Sequence, residues 1–266
     1  MSRYRDATIV VTGAGSGIGR ELCLLLARQG ARLVLTGRRQ QQLHAVRAEI
    51  TSHGGAALVA PCDLSNGQQV LDWSAAILRA TGGVDVLVNN AGRGAYGRFE
   101  QVALDGHDAV VDTNLRAIIH TTHAMLPSML ARGKGQLVYV SSVLGDLPAP
   151  EHAVYGATKS AVNAFAESLT HELHGRGVAV TVVAPGLVES GFAATAGTPM
   201  ARFSSLPSKS AVDSARGVLR AMERGQGLCV DDRLSAVAIC ARRYVPGLFG
   251  WVFRKLFERL RRRGHR

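Results

Sequence analysis

The chain has 266 residues, of which 47% are hydrophobic and 19% are charged, and this composition allows one large buried core. Its net charge of +11 is uneven, because the nine Lys and Arg residues and the one acidic residue after position 241 contribute +8, which leaves +3 for the rest. A uniformly basic body, typical of nucleic-acid-binding proteins, is therefore excluded, and we expect no nucleic-acid partner.

Cysteines, histidines and hydropathy indicate a cytoplasmic protein without a metal. The four cysteines are scattered without a C-x-x-C spacing, which argues against a disulfide framework and a zinc knuckle and favours a reduced compartment. The charged N-terminus does not resemble a secretory signal, and no stretch holds the roughly 20 apolar residues that cross a bilayer. The histidine pairs His120 with His123 and His171 with His174 have no third ligand nearby in the sequence, so we expect no metal site.

Short apolar runs alternate with helical stretches along the chain. This alternation predicts an α/β fold, a doubly wound, Rossmann-type parallel sheet of about seven strands with helices on both faces. One long irregular stretch, residues 186–210, follows the sixth strand, where ligands bind in open α/β sheets. The predicted strands are residues 8–11, 32–35, 57–59, 84–88, 136–140, 178–183 and 228–230.

The turn after the first strand is rich in glycine. Residues 12–19 read TGAGSGIG, and residues 20–28 are predicted to continue as a helix. Gly13, Gly17 and Gly19 let the backbone turn sharply and approach a pyrophosphate, whose charge the free N–H groups at the helix start would stabilise. Glycine clusters also occur in flexible turns, but a position between strand and helix favours a dinucleotide cofactor.

The end of the second strand bears on the choice between NAD(H) and NADP(H). The strand runs into Arg38 and Arg39, and no carboxylate is available there for a ribose 2′-hydroxyl. Two guanidinium groups would instead pair with a 2′-phosphate, although an arginine pair at a helix start is also compatible with plain solvated surface. The placement predicts a preference for NADP(H).

Three motifs resemble those of the short-chain dehydrogenase/reductase family. Residues 12–19 are similar to its TGxxxGIG turn, residues 89–92 to its NNAG motif, and residues 155–159, YGATK, to its YxxxK motif. The resemblance covers residues 6–230. It implies an oxidoreductase that interconverts a carbonyl and an alcohol on a small molecule with a nicotinamide cofactor, and a homo-oligomer.

The resemblance also assigns roles to single residues. The catalytic set would be Asn114, Ser142, Tyr155 and Lys159. At Ser16, NADP-dependent relatives often carry a basic residue, so its absence leaves the two arginines to recognise the phosphate alone. Asp63 would hold the adenine, Asn90 would support the adenosine end, and the full set assigned to the cofactor is Gly13, Ser16, Gly17, Ile18, Gly19, Arg38, Arg39, Asp63, Asn90, Ala91, Gly92, Tyr155, Lys159, Pro185, Gly186, Val188 and Ser190.

Tyr155 and Lys159 are four residues apart in a predicted helix and therefore share a face. A free phenol has a pKa of about 10, and we expect the nearby ammonium to lower the pKa of Tyr155 enough for acid and base catalysis. By the resemblance, Tyr155 protonates the substrate oxygen during reduction while Ser142 hydrogen-bonds it. Lys159 also binds the nicotinamide ribose, and Asn114 positions a water that resupplies the proton.

The C-terminal end is predicted as a basic amphipathic extension, residues 233–266, of a catalytic domain at residues 1–232. Such a helix either lies on an anionic membrane surface, with Trp251 at the headgroups, or packs on its own domain or on a second subunit. The first alternative predicts a peripheral position on the cytosolic membrane face and favours a lipophilic substrate. The apolar stripe is Val245, Leu248, Phe249, Val252, Phe253, Leu256, Phe257 and Leu260, and the flanking cations are Arg254, Lys255, Arg261 and Arg262.

Two other functions remain open. The fold could bind NADP(H) as a sensor or scaffold without turnover, but a pure binding module does not need Ser142, Tyr155 and Lys159 together. It could also be a 3-oxoacyl-carrier-protein reductase, which is disfavoured because the chain lacks the ITG…VDGG ending common in such reductases.

Overall fold

The computed structural model describes residues 2–199, 203, 206–225 and 227–263, apart from the side chains of 260–263. Its main sheet has seven strands in the order β3-β2-β1-β4-β5-β6-β9, and every neighbouring pair is parallel. The predicted fold is confirmed, and all seven predicted strands are present. The strands of this sheet are β1 (Thr8–Thr12), β2 (Arg32–Thr36), β3 (Ala56–Val59), β4 (Val86–Asn89), β5 (Gly135–Val140), β6 (Val178–Ala184) and β9 (Gly227–Val230).

Helices cover both faces of the sheet, as predicted. Apolar side chains of α1, α2 and α8 form one core layer, and those of α3, α5 and α6 form the other, where Trp73 is buried. Because the strands are apolar on both faces, each layer excludes water from one side of the sheet. The helices are α1 (Gly17–Arg28), α2 (Gln40–Ser52), α3 (Gly67–Thr81), α4 (Leu104–Val111), α5 (Ala117–Ala131), α6 (Ala153–Glu172), α7 (Gly191–Thr195), α8 (Ala211–Arg224), α9 (Arg233–Tyr244) and α10 (Pro246–Arg263).

The strand order reverses between β1 and β4, which are neighbours in the sheet but not in the chain. In open parallel sheets the loops at such a reversal diverge and leave a crevice at the carboxyl ends of the strands. The loops after β1, β4, β5 and β6 carry most of the residues that the sequence assigns to a site. The topology therefore brings these distant segments to one edge of the sheet.

The described parts of the stretch at 186–210 contain regular structure that its sequence does not predict. Residues Leu187–Glu189 form β7, which pairs in parallel with β8 (Ser208–Ser210), and α7 lies between them. Ser190 caps α7, because its Oγ accepts a hydrogen bond from the N–H of Phe192 at 3.4 Å. Local polar residues are compatible with both a loop and a short strand, so only the pairing of the two segments decides the structure.

The C-terminal segment follows β9 as two helices, α9 and α10. The N-cap of α9 is Asp232, whose Oδ1 accepts a hydrogen bond from the N–H of Ser235 at 2.7 Å. Within the described residues, no helix is long and apolar enough to span a membrane.

Candidate active site

The glycine-rich turn folds tightly because two of its glycines have positive φ angles, +69° at Gly13 and +54° at Gly17. A Cβ on Gly19 would lie 2.3 Å from the carbonyl oxygen of Gly13 and 2.5 Å from Nδ2 of Asn90, so only glycine fits. The helix α1 begins at Gly17, three residues before the predicted start. The half-buried Ile18 packs this first turn against the core. The first N–H groups of a helix have no partner within it and can therefore bind an anion.

Asn90 and Thr12 tie the end of β4 to this turn. Asn90 Nδ2 donates to the carbonyl of Thr12 at 2.8 Å, and Thr12 Oγ1 accepts from the N–H groups of Asn90 and Ala91, both at 3.0 Å. Asn90 therefore holds the glycine-rich turn against the end of β4, while its predicted support of the adenosine end stays a prediction. Thr12 was not singled out from the sequence, although a polar residue at the end of an apolar strand is a recognisable signal.

Arg38 and Arg39 are both exposed at the end of β2. Arg39 Nη2 donates to Ser16 Oγ at 3.0 Å, so the guanidinium lies at the start of α1. Burial opposes ionisation of the Asp63 carboxyl, but hydrogen bonds from Ser65 and the charges of Arg38 and Arg93 together lower its pKa below the ordinary value. This end of the crevice thus combines two exposed guanidinium groups with one carboxylate.

Ser142, Tyr155 and Lys159 meet where β5 ends and α6 begins. Ser142 is the second residue after β5, and its hydroxyl interacts with that of Tyr155. The Nζ atom of Lys159 lies 5.7 Å from the centre of the Tyr155 ring and donates to the carbonyl oxygen of Val140 at 2.9 Å. Both residues belong to α6, as their four-residue spacing predicts, and the side chain of Lys159 is only 3% exposed.

The predicted direction of the Tyr155 pKa shift is wrong for the ligand-free protein. Burial raises the pKa of Tyr155 to about 12, and the hydrogen bond with Ser142 offsets part of this rise. Burial also lowers the pKa of Lys159 to about 8, because the ammonium loses its hydration. Desolvation therefore outweighs the attraction between the phenolate and the ammonium in this state.

Asn114 lies in a π-helical segment, residues Asp112–Arg116, between α4 and α5. Its side chain is fully buried; Nδ2 donates to the Arg93 carbonyl at 2.9 Å and to Thr158 Oγ1 at 3.2 Å, while Oδ1 accepts from the Arg93 N–H at 2.7 Å. A π-bulge widens one helical turn and is frequent at functional sites. Asn114 thus joins the loop after β4 to α6 next to Lys159.

The segment after β6 closes the crevice opposite the glycine-rich turn. A Cβ on Gly17 would lie 3.6 Å from Cβ of Ser190, so the two loops are in contact. The carbonyl of Pro185 accepts a hydrogen bond from the Val143 N–H at 3.0 Å, which fixes the segment beside Ser142. Of the other residues assigned here, Val188 pairs with Lys209 between β7 and β8 and Gly186 packs against Asp232.

Gly92 marks the middle of the crevice. A Cβ at this position would lie 3.6 Å from Asn114 Oδ1 and 3.9 Å from Lys159 Nζ. The structure thus places the residues predicted for the catalytic set and those predicted for the cofactor along one continuous edge of the sheet. Gly13 and Gly19, by contrast, have no room for a Cβ because atoms of Gly13, Asn90 and Ala91 fill that space, so these two glycines serve the packing of the turn.

An aromatic group next to Tyr155 was missed by the sequence analysis. The ring centre of Tyr155 lies 5.7 Å from that of Phe192 and 6.5 Å from that of His152, and Tyr96 and Phe203 pack against His152 at 5.1 Å and 6.4 Å. We call these four residues, Tyr96, His152, Phe192 and Phe203, the aromatic wall. They come from three separate segments with no shared spacing, so no local pattern reveals them.

The histidine pairs do not form a metal centre in the described part of the chain. No group of three or more His, Cys, Asp and Glu side chains converges there. The ring of His120 instead packs against Gly67, where a Cβ would lie 2.6 Å from its Cε1 atom.

Comparison with known proteins identifies the family. Residues 7–200 match the short chain dehydrogenase family. The chain belongs to the short-chain dehydrogenase/reductase family. It is therefore an NAD(P)-dependent dehydrogenase or reductase that acts on CH–OH or C=O groups.

Relatives of this dehydrogenase/reductase include an uncharacterized oxidoreductase of Myxococcus xanthus, 39% identical over 200 residues, which are 75% of this chain and 79% of that protein. Among solved structures, a short-chain dehydrogenase of Sphingobium yanoikuyae in complex with NADPH is 28% identical, with a TM-score of 0.79 over 84% of this chain and 87% of that one. A short chain dehydrogenase/reductase from Burkholderia phymatum in complex with NAD is 26% identical, with a TM-score of 0.85 over 93% of this chain and 96% of that one. The two structures hold different cofactors, so the family alone does not select between NAD and NADP.

Proposed function

We propose that this dehydrogenase/reductase uses NADP(H) to interconvert a carbonyl and an alcohol on a lipophilic substrate. Ser142, Tyr155 and Lys159 are the proposed catalytic residues, and Asn114 is a positioning residue. One observation carries the proposal, the convergence of Ser142 and Tyr155 beside the buried side chain of Lys159 at the carboxyl edge of the sheet. A sensor or scaffold without turnover does not require this arrangement.

The cofactor, when bound, supplies or removes the hydride. During reduction, the Ser142 hydroxyl and the Tyr155 hydroxyl hold the substrate oxygen, and Tyr155 passes its proton to that oxygen. The phenolate that remains is stabilised by the Lys159 ammonium, since a positive charge favours the ionised phenol. Asn114 orders the water through which the proton is restored, and oxidation of the alcohol reverses each transfer.

Preference for NADP(H) rests on the charges at the end of β2. Arg38 and Arg39 are exposed there, and Arg39 already reaches the start of α1 through Ser16 Oγ. A 2′-phosphate between these groups would accept charge-assisted hydrogen bonds, whereas a 2′-hydroxyl has no carboxylate partner on this segment.

Arg39→Ala is expected to raise KM for NADPH about tenfold and to leave KM for NADH nearly unchanged, because a hydrogen bond to a charged group contributes about 1.5 kcal/mol. Initial rates at varied cofactor concentration measure both constants. Arg47→Ala removes an exposed charge from α2, the helix whose N-cap is Arg39, and serves as the matched control. Equal changes for the two cofactors, or none, would contradict recognition of the phosphate by Arg39.

The lipophilic substrate is supported by the aromatic wall, which gives the reacting Tyr155 an apolar neighbourhood. Turnover of a series of aldehydes and ketones, measured by NADPH consumption, is expected to show kcat/KM rising by about fourfold per added methylene while the chain fits, since each buried CH₂ contributes about 0.8 kcal/mol. Sugar carbonyls of equal size are the control. Higher kcat/KM on the sugars would overturn the substrate class, and no turnover on any carbonyl would favour the sensor alternative.

We also propose a cytoplasmic homo-oligomer. Apolar side chains of α4, α6 and the π-helical segment line a shallow surface depression that a second copy could cover, and they are Val111, Leu115, Ala153, Val154 and Ala157. Burial of such a patch between subunits is favourable because it removes apolar area from water.

A further inference from the structure

Both helices of the C-terminal segment expose large apolar side chains. Leu248 is 62% exposed, Trp251 56% and Val252 50%. Apolar side chains that are exposed singly are ordinary, but a run of them along two consecutive helices indicates an interaction site. The exposed members, which we call the C-terminal apolar surface, are Leu234, Val237, Tyr244, Val245, Leu248, Trp251, Val252 and Leu256.

The catalytic body does not cover this surface. The main contacts of α10 among the described residues are with α9. Three phenylalanines of α10 also pack on one another, with ring centres 5.0 Å apart for Phe249 and Phe253 and 4.9 Å apart for Phe253 and Phe257. Packing on the chain's own domain therefore does not account for the exposed members of the stripe, such as Leu248 and Val252. Leu260, Arg261 and Arg262 have side chains outside the described part of the chain.

Charge selects among the partners that could cover the surface. Nine basic residues and one acidic residue lie from Arg242 to Arg266, a net charge of +8. A second copy would bring two such segments together, and their like charges would repel. Nucleic acid would match the charge but would leave the leucines and Trp251 in water. An anionic bilayer satisfies both features, because its headgroups attract the cations while its acyl boundary takes up the apolar side chains.

We propose that α9 and α10 dock on an anionic membrane surface through the C-terminal apolar surface. The exposed cations Arg254, Lys255 and Arg259 belong to α10 itself and reach the headgroup layer from a helix lying in the interface. The helices lie on the membrane and do not cross it.

The docking helices are joined to the catalytic edge of the sheet. Arg242 in α9 donates a hydrogen bond to the carbonyl of Asp146, four residues after Ser142. At the other end of α9, a Cβ on Gly186 would lie 2.6 Å from Oδ2 of Asp232. A membrane bound to α9 and α10 is thus at the same end of the molecule as Tyr155. Delivery of substrate from the bilayer follows if the proposed function holds, whereas the docking itself does not depend on it.

Vesicle flotation tests the docking with the full-length protein. The protein is expected to float with phosphatidylcholine vesicles that contain phosphatidylserine and to stay at the bottom with phosphatidylcholine alone. Arg254→Gln with Lys255→Gln is expected to weaken partitioning about 25-fold, because each basic residue near an anionic leaflet contributes about fivefold. Leu248→Gln with Val252→Gln removes apolar contact and is expected to abolish flotation while the charge is unchanged.

Two control variants match these changes on the catalytic body. Arg220→Gln with Arg224→Gln removes two exposed charges from α8, and Leu104→Gln alters a side chain of α4 that is 73% exposed. Both are expected to float like the wild type. Docking is refuted if the wild type does not distinguish anionic from neutral vesicles, or if the α10 variants float as well as the controls. Because flotation needs no cofactor or turnover, its failure leaves the proposed function standing.

Discussion

Replacing Tyr155 by phenylalanine is expected to lower kcat by between about a hundredfold and ten-thousandfold, the usual contribution of a general acid. The substitution deletes the hydroxyl that passes the proton to the substrate oxygen and keeps the ring that packs against Phe192. Affinity for NADPH is expected to stay near that of the wild type, since the glycine-rich turn and the arginines after β2 are untouched.

Tyr139→Phe is the matched control for this variant. Tyr139 lies in β5, is fully buried, and shares a hydrogen bond of 3.0 Å between its hydroxyl and Oγ1 of Thr122. Removal of the Tyr139 hydroxyl leaves Thr122 without that partner. We expect this to lower the free energy of unfolding by about 1–3 kcal/mol without changing kcat. Stopped-flow NADPH oxidation gives kcat, and fluorescence titration gives the cofactor Kd. Full turnover in Tyr155→Phe would remove Tyr155 from the mechanism.

Lys159→Met is expected to reduce kcat by at least about a hundredfold and yet to stabilise the ligand-free protein. The ammonium of Lys159 is 3% exposed and donates to the Val140 carbonyl, and no ion pair in the described part of the chain includes it. A buried charge without a counter-charge is costly, and methionine fills a similar volume without that cost. Loss of activity follows because the Tyr155 phenolate loses its stabilising cation.

The stabilising effect of Lys159→Met is expected to depend on pH with a defined sign. Burial lowers the pKa of Lys159 from 10.5 to about 8 in the folded protein. Between these two values the unfolded chain binds a proton that the folded chain does not, so the free energy of unfolding contributed by this group rises with pH. Below about pH 8 Lys159 is charged in both the folded and the unfolded protein, so the full cost of burying the ammonium is present. The gain in the free energy of unfolding from Lys159→Met is therefore largest there.

Urea unfolding of wild type and Lys159→Met at two pH values, one on each side of this interval, measures the difference directly. The stability gap between the two proteins is expected to narrow as the pH rises. Lys134→Met is the control, since that lysine is exposed on the surface. If wild type and Lys159→Met have the same free energy of unfolding at neutral pH, or if their difference grows with pH, a buried ammonium without a counter-charge at position 159 is contradicted.

Much of the fold is determined by the sequence itself. The strands are short apolar runs separated by helical stretches, and this pattern depends only on which face of each element meets the core. The turn at residues 12–19 is only partly local. The positive φ of Gly13 and the contact of Gly19 with the Gly13 carbonyl arise within the turn, but Asn90 and Ala91, which the family motif already marks, also exclude a Cβ on Gly13. The placement of Tyr155 and Lys159 on one face of α6 follows from the helical repeat.

Contacts between segments distant in the chain could not be predicted from local patterns. Desolvation of Tyr155 depends on how deeply β5, α6 and the segment after β6 bury it, so the spacing to Lys159 predicted a pKa shift in the wrong direction. The aromatic wall assembles from three segments, and the pairing of β7 with β8 orders a stretch whose composition is that of a loop. The sequence predicts the amphipathic pattern of α10, because periodicity shows which side of a helix is apolar. It does not predict that Leu248 and Trp251 are exposed, because packing decides whether another element covers that side.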